Sequence, residues 1–171
     1  KYLVENRLGS RLRELGLRSF GEYYNYLRYD AGRSAEMNKL FESMTTNETS
    51  FFRNGPQLDV FRDKVLIPVL NEQRAKGQKK LRIWSAGCSS GEEPYTLAMI
   101  LHEVLKQDVD NWDIKITAND LSLAVLASAR RGMYNDYAIR TTPADMLARY
   151  FTKEGNLYRI DPRLQKLVSF S

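Results

Sequence analysis

The stretch Leu81-Arg-Ile-Trp-Ser-Ala-Gly-Cys-Ser-Ser-Gly-Glu-Glu-Pro-Tyr95 constrains the fold more than any other part of the chain. Strand formers (Leu81, Ile83, Trp84) stop at a small-residue turn, Ser85 to Gly91. A helix pattern follows at once through Leu97, Ala98, Ile100, Leu101, Val104 and Leu105. Strand, glycine turn, helix is the opening unit of a doubly wound α/β nucleotide site. Gly87 and Gly91 remove side chains where backbone must approach a ligand, and the helix start offers free N–H groups.

The pattern continues beyond that unit. A strand over 112–118 and a helix over 122–131 follow the helix predicted over 92–106, and alternation of this kind argues for a parallel sheet wrapped by helices. A short helix is predicted over 143–151, with strand-like pieces at 157–160 and 167–170. The expected fold is an α/β, Rossmann-like sheet, incomplete for its type, preceded by a small all-α subdomain. The subdomain occupies residues 1–44. It needs a helix over 2–15 carrying Leu8, Leu12 and Leu15, with Gly16 as its stop. A second helix is capped by Ser19 with Glu22 in a capping box. A third is capped by Ser34, with Met37, Leu40, Phe41 and Met44 on one face. Residues 45–55 read as a connecting loop, and 56–171 as the α/β part, opening on a helix over 56–76 that Pro68 kinks.

Several classes of function are excluded early. Cys88 and His102 are the only cysteine and histidine, so neither an intrachain disulfide nor a Cys/His metal site is expected. A reducing cytoplasm is the simplest location for such a chain. No apolar run reaches the ~20 residues that cross a bilayer. The 26 basic and 21 acidic side chains give a net charge of +5. That suits an acidic partner. A nucleic acid is not expected, because the basic residues are not interleaved with stacking aromatics.

Three constellations stand beside plainer readings. Asp120, at the end of the second predicted strand, can accept ribose hydroxyls; it can also cap the next helix. Glu92 and Glu93 open the first helix of the sheet, where the macrodipole favours acids and Ser90 to Glu93 fits a capping box. A pyrophosphate would be repelled by both. A cationic or neutral ligand suits them better, and S-adenosylmethionine carries a sulfonium and an ammonium and no phosphate. The loop Thr45-Thr-Asn-Glu-Thr-Ser-Phe-Phe-Arg53 gathers hydroxyls, an amide, a carboxylate, two aromatics and an Arg. Thr46 or Asn47 could cap a helix and Phe51 and Phe52 could be core, yet so varied a set favours specific contacts. On the first helix Arg7 and Arg11 share a face, with Arg13 nearby; it is either solvated or a docking surface for an acidic segment. Tyr23, Tyr24 and Tyr26 read as core or interface filler. Cys88 has no base near it in sequence, which argues against a nucleophile.

Taken in order, these words resemble the CheR-type chemotaxis receptor methyltransferases. The words are Asn6-Arg-Leu8, Arg11 to Leu17, Thr45 to Arg53, Arg82 to Tyr95, Ala118-Asn-Asp120, Ala129 to Tyr134 and Arg149-Tyr-Phe151. The resemblance implies an N-terminal helical domain, an α/β domain and S-adenosylmethionine as cofactor, with S-adenosylhomocysteine as product. It implies cofactor contacts from Asn47, Thr49 and Arg53, backbone approach at Ala86 and Gly87, a carboxylate contact from Glu93, and Asp120 on the ribose. Arg53 takes a catalytic part by orienting the cofactor or the incoming carboxylate. Arg7, Arg11 and Arg13 would dock the cytoplasmic methylation region of a chemoreceptor, although Ser10 stands where some members carry a further Arg. The implied activity is methylation of receptor glutamate side chains to methyl esters by a cytoplasmic monomer that binds no nucleic acid, holds no metal and does not enter the membrane. The alternatives are a methyltransferase acting on another substrate, or a module that binds the cofactor and transfers nothing.

The family also carries a C-R-N-x-x-I-Y-F word, with an Asn that lines the cofactor and a Tyr near the methyl. No such word occurs up to Ser171. The expectation is a fragment that lacks later strands and the family's small β insertion, and that is poorly active or inactive by itself.

Overall fold

The computed structural model describes residues 2–171. The helical periodicity of the first part becomes α1 (Tyr2–Glu14), α2 (Phe20–Tyr29) and α3 (Arg33–Met44). Leu8 and Leu12, one turn apart on α1, are buried against Tyr23 of α2, with Leu15, Leu27, Leu40 and Met44 around them. Ser19 caps α2 as expected, its Oγ accepting the Glu22 amide at 3.1 Å. Glu22 reaches back to the Arg18 amide (2.7 Å). Ser34 does not cap α3. Gly32, which has no side chain to cap with, occupies that position two residues earlier, where the Asp30 carboxylate accepts the Gly32 amide at 2.8 Å and sets the turn. Tyr23 is buried as expected, but Tyr24 is 55% exposed and not core.

A single buried carboxylate joins the three helices. Glu36 of α3 is 3% exposed. It accepts Arg11 Nε (2.8 Å) and Nη2 (2.7 Å) from α1, and the Tyr23 hydroxyl (2.8 Å) from α2. The Arg11 hydrogen bond, helped by Tyr23, holds the Glu36 carboxyl below the usual range against the opposing effect of burial.

The chain separates into two units. One runs to Asn47 and takes in Leu121–Ala124; the other comprises Glu48–Asp120 and Val125–Ser171. In the second, the long helix predicted at 56–76 is resolved into α4 (Gly55–Val60), a π-helical stretch (Phe61–Leu66) and α5 (Ile67–Ala75). Pro68 has no N–H and its ring crowds the carbonyl one turn back. The wider turns before it, with the Ile67 amide on the Arg62 carbonyl, absorb the misfit.

The strands β1 (Lys80–Ala86) and β2 (Asp113–Asn119) flank α6 (Glu92–Leu105) and pair in parallel, Ile83 opposite Ile116 and Ala86 opposite Asn119. Next come α7 (Leu123–Arg131), β3 (Met133–Tyr134), α8 (Asp136–Ile139), α9 (Ala144–Tyr150), β4 (Phe151–Glu154), β5 (Leu157–Ile160), α10 (Pro162–Gln165) and β6 (Val168–Phe170). The parallel sheet runs β1-β2-β6. Leu81, Ser85, Ile114, Ile116 and Ala118 on one face are buried; Arg82, Trp84, Ala86 and Lys115 on the other are exposed. From Pro94 to Leu101 every residue of α6 is buried. A fully buried aliphatic side chain there contributes about 2 kcal/mol.

The small β insertion expected to be lacking has a counterpart. An antiparallel sheet, β3-β5-β4, stands between α7 and β6. Phe151, expected to end a helix, begins β4 opposite Ile160. Its ring meets Phe51 edge-on at 5.0 Å, so tertiary packing decided the state of that residue.

Candidate functional site

The site begins where β1 ends. Gly87 has φ of +71°, and a side chain there would meet no atom within 4 Å. Its backbone is open to a ligand, as is exposed Ala86 beside it. The Gly87 and Cys88 amides both donate to the Asn119 carbonyl at the end of β2, each at 2.9 Å. Ser89, at φ of +48°, donates its amide to Asp120 Oδ2 at 2.8 Å. The turn after β1 is thus laced to the tip of β2, and Asp120 does more than the helix-capping reading allows: it braces the turn from across the sheet.

The two glutamates of α6 have separate tasks. Glu93 is exposed and accepts the Ser85 hydroxyl at 2.6 Å. Glu92 is 3% exposed, and burial raises its pKa. The Ser90 hydroxyl sits 2.9 and 2.8 Å from its two oxygens. The capping box read from Ser90 to Glu93 does not form, because Gly91, left-handed at φ of +94°, occupies the cap. Cys88 is buried and its thiol is pushed up to about 11, chiefly by burial and then by Asp120. A thiol so placed is no nucleophile at neutral pH, in agreement with the sequence.

The loop bearing Thr49 and Arg53 is anchored to the same helix. Phe51 is fully buried, its amide on the Ala138 carbonyl (2.9 Å); the Phe52 amide meets Thr96 Oγ1 of α6 at 3.3 Å. Both phenylalanines pack into the core, as the plainer reading of the loop held. Phe52 is left-handed (φ +52°), a strained setting for a bulky residue, and Arg53 follows it, exposed, with Nη1 on the Glu48 carbonyl at 2.8 Å. Asn47 closes the first unit, while Thr49, Arg53, Ala86, Gly87, Glu93 and Asp120 all belong to the second.

The basic face of α1 differs from its expected form. Arg11 is held by Glu36 and Glu14 and does not serve as a free cation. Arg7 donates to the Met44 carbonyl and to Thr46 Oγ1 (3.0 Å), closing the end of α3. Arg13 is exposed and forms no ion pair among the described residues. The helical period placed these three correctly around the axis but gave no sign of an acid on α3. Sequence reasoning also missed Ser85, Ser89 and Asn119, whose partners lie across the turn or across the sheet. The one signal was the density of small and polar residues at both strand ends.

Among the described residues no group of His, Cys, Asp and Glu could hold a metal, and no helix is long and apolar enough to cross a membrane. What the site offers is exposed backbone at Ala86 and Gly87, with the Glu93 carboxylate bonded to Ser85 just before it and the Asp120 carboxylate bonded to Ser89 just after it. These groups can accept hydrogen bonds from hydroxyls and attract a cation, and they disfavour a phosphate.

Comparison with known proteins finds matching family models and relatives. Residues 47–171 match the family model for the CheR methyltransferase, SAM binding domain, and residues 1–45 match that for the CheR methyltransferase, all-alpha domain. The chemotaxis protein methyltransferase of Borreliella burgdorferi is 38% identical over 99% of this chain and 60% of its own length. Those of Pseudomonas aeruginosa (chemotaxis protein methyltransferase 1) and Escherichia coli are 35% and 36% identical, again over 99% of this chain, covering 62% and 56% of their own lengths. The chain thus spans roughly three fifths of the curated relatives it matches.

Proposed function

The chain belongs to the CheR methyltransferase family, and from that premise we propose that it serves S-adenosylmethionine-dependent methylation of glutamate side chains in the cytoplasmic methylation region of chemoreceptors, giving methyl esters and S-adenosylhomocysteine. S-adenosylmethionine is the cofactor of the matched domain. The residues fit it. Gly87 leaves backbone open, Asp120 presents a carboxylate suited to ribose hydroxyls, and Glu93 presents one suited to a cationic tail. That pairing of two carboxylates around an open turn is the observation that supports the reading most. Asn47, Thr49 and Arg53 complete the proposed set, with Arg53 orienting the reacting groups and Ala86 lining the turn. When bound, the cofactor supplies an electrophilic methyl on a cationic sulfur.

The chain's own task is alignment and exclusion of water. An acceptor glutamate, with pKa ~4.3, is already ionised at neutral pH and needs no general base. His102 agrees with that. It lies far along α6 from Glu93, half-buried near the Tyr150 ring at 6.1 Å, with its pKa lowered by burial. In full-length protein, methyl incorporation at saturating cofactor is expected to rise between about pH 4 and 6 and then stay flat to pH 8, following the acceptor carboxyl. A rate that goes on rising as an imidazole deprotonates would reveal a general base and contradict this mechanism.

Docking is proposed to use the α1 side of the helical unit, with Arg13 as the available cation; the location is the cytoplasm and the working form a monomer without nucleic acid. The deciding experiment supplies full-length protein with methyl-labelled cofactor and a receptor cytoplasmic fragment. Base-labile label on receptor glutamates supports the proposal. Cofactor binding without any labelled acceptor would favour the binding module.

A further inference from the structure

Four residues within the segment Tyr137–Thr141, directly after β3, reach four consecutive residues of the loop that carries Thr49 and Arg53. The Tyr137 hydroxyl donates to Glu48 Oε1 at 2.9 Å. Arg140 Nη2 lies 3.7 Å from the same oxygen, and Nη1 donates to the Thr49 carbonyl at 3.5 Å. Its guanidinium stacks on the Tyr137 ring, 3.6 Å from the centroid. Thr141 Oγ1 donates to the Phe51 carbonyl and is paired with the Ser50 hydroxyl at 3.0 Å, while the Ala138 carbonyl receives the Phe51 amide at 2.9 Å.

We propose that Tyr137 and Arg140 are positioning residues, which hold the loop in its left-handed turn at Phe52 so that Thr49 and Arg53 stand at the site. The role follows from strain. Phe52 adopts φ of +52°, which a bulky residue leaves unless its surroundings over-determine it. On one side Thr96 takes the Phe52 amide (3.3 Å) and itself donates to the Glu92 carbonyl (2.7 Å), so the turn is tied to the start of α6. The clamp from Tyr137–Thr141 supplies the other side. Arg140 suits the task because a planar guanidinium can stack on a ring while its two ends meet a carbonyl and a carboxylate. An isolated exposed ion pair would hold little; here the pair is joined to a stack, a phenol and two hydroxyl contacts. The inference rests on the reading that this loop serves the cofactor.

The test is hydrogen exchange on cofactor-free, full-length protein, followed by cofactor kinetics. R140A is expected to speed exchange of the Phe51 and Phe52 amides at least tenfold with the thermal midpoint unchanged. R140K, which keeps the charge but loses the planar fork that meets the Thr49 carbonyl and Glu48 at once, is expected to stay within threefold of R140A. KM for S-adenosylmethionine should rise at least fivefold in R140A while kcat at saturation changes less than twofold. Unaltered exchange at both amides in R140A overturns the clamp, and so does wild-type exchange in R140K, which would show that a point charge without the planar fork suffices. If wild-type protein binds no S-adenosylmethionine, the functional reading falls, and the exchange rates still decide whether Arg140 holds the loop.

Discussion

Asp120→Ala is expected to weaken S-adenosylmethionine binding to the full-length protein roughly a hundredfold, measured by calorimetry. Two losses combine. The carboxylate proposed to accept the ribose hydroxyls disappears, and a charge-assisted hydrogen bond is worth about 1.5–3 kcal/mol. The brace on the Ser89 amide disappears too, at a residue whose left-handed backbone (φ +48°) needs one. Asp120→Asn separates the two, because an amide oxygen can still receive the Ser89 N–H. It should bind about tenfold more tightly than the Ala variant, and more weakly than wild type. Wild-type affinity in both variants would remove Asp120 from the site and leave it as a strand-end brace only.

The second large effect concerns stability. Glu36→Gln should destabilise the helical unit by about 3 kcal/mol, because taking one partner from a buried pair leaves the other charge uncompensated. Arg11 keeps only exposed Glu14, and the Tyr23 hydroxyl loses a carboxylate acceptor. Hydrogen exchange of the α1–α3 amides measures the change. The acid sensitivity has a definite sign. The folded state holds the Glu36 carboxyl below its ordinary pKa, so its contribution is fully present above the unfolded value, ~4.3, and is lost as pH falls through the lower folded value. The difference between wild type and variant should therefore shrink toward strongly acid pH. A constant gap would assign the stabilisation to packing.

What the sequence revealed and what it hid divide along physical lines. Alternating strands and an apolar α6 follow from short-range periodicity, so β1, β2 and the parallel arrangement were legible. Ser19 was legible as a cap because its partner is three residues away. Ser34 was misread because the preceding Asp30 turn competes for the start of α3. The antiparallel sheet was half seen. β5 carries the alternation, but β3 is two residues long and β4 follows a helix without any breaker. At the site, residue types pointed to Glu93 and Asp120. Their partners Ser85 and Ser89 depend on how a turn and two strand ends meet, which no local pattern encodes. Arg11 shows the same limit from the other side. Its place on a polar helix face suggested a free cation, and a single acid on α3 takes it.

Cys88 has a use that its chemistry conceals. It is the one sulfhydryl in this sequence, sits at 2% exposure under the turn that Asp120 braces, and keeps its proton at neutral pH. An alkylating reagent can reach it only during moments when that turn lifts from Ala118 and Leu126. The rate of its capture is therefore a clock for local opening, slowed by whatever settles on the turn and quickened by whatever loosens it.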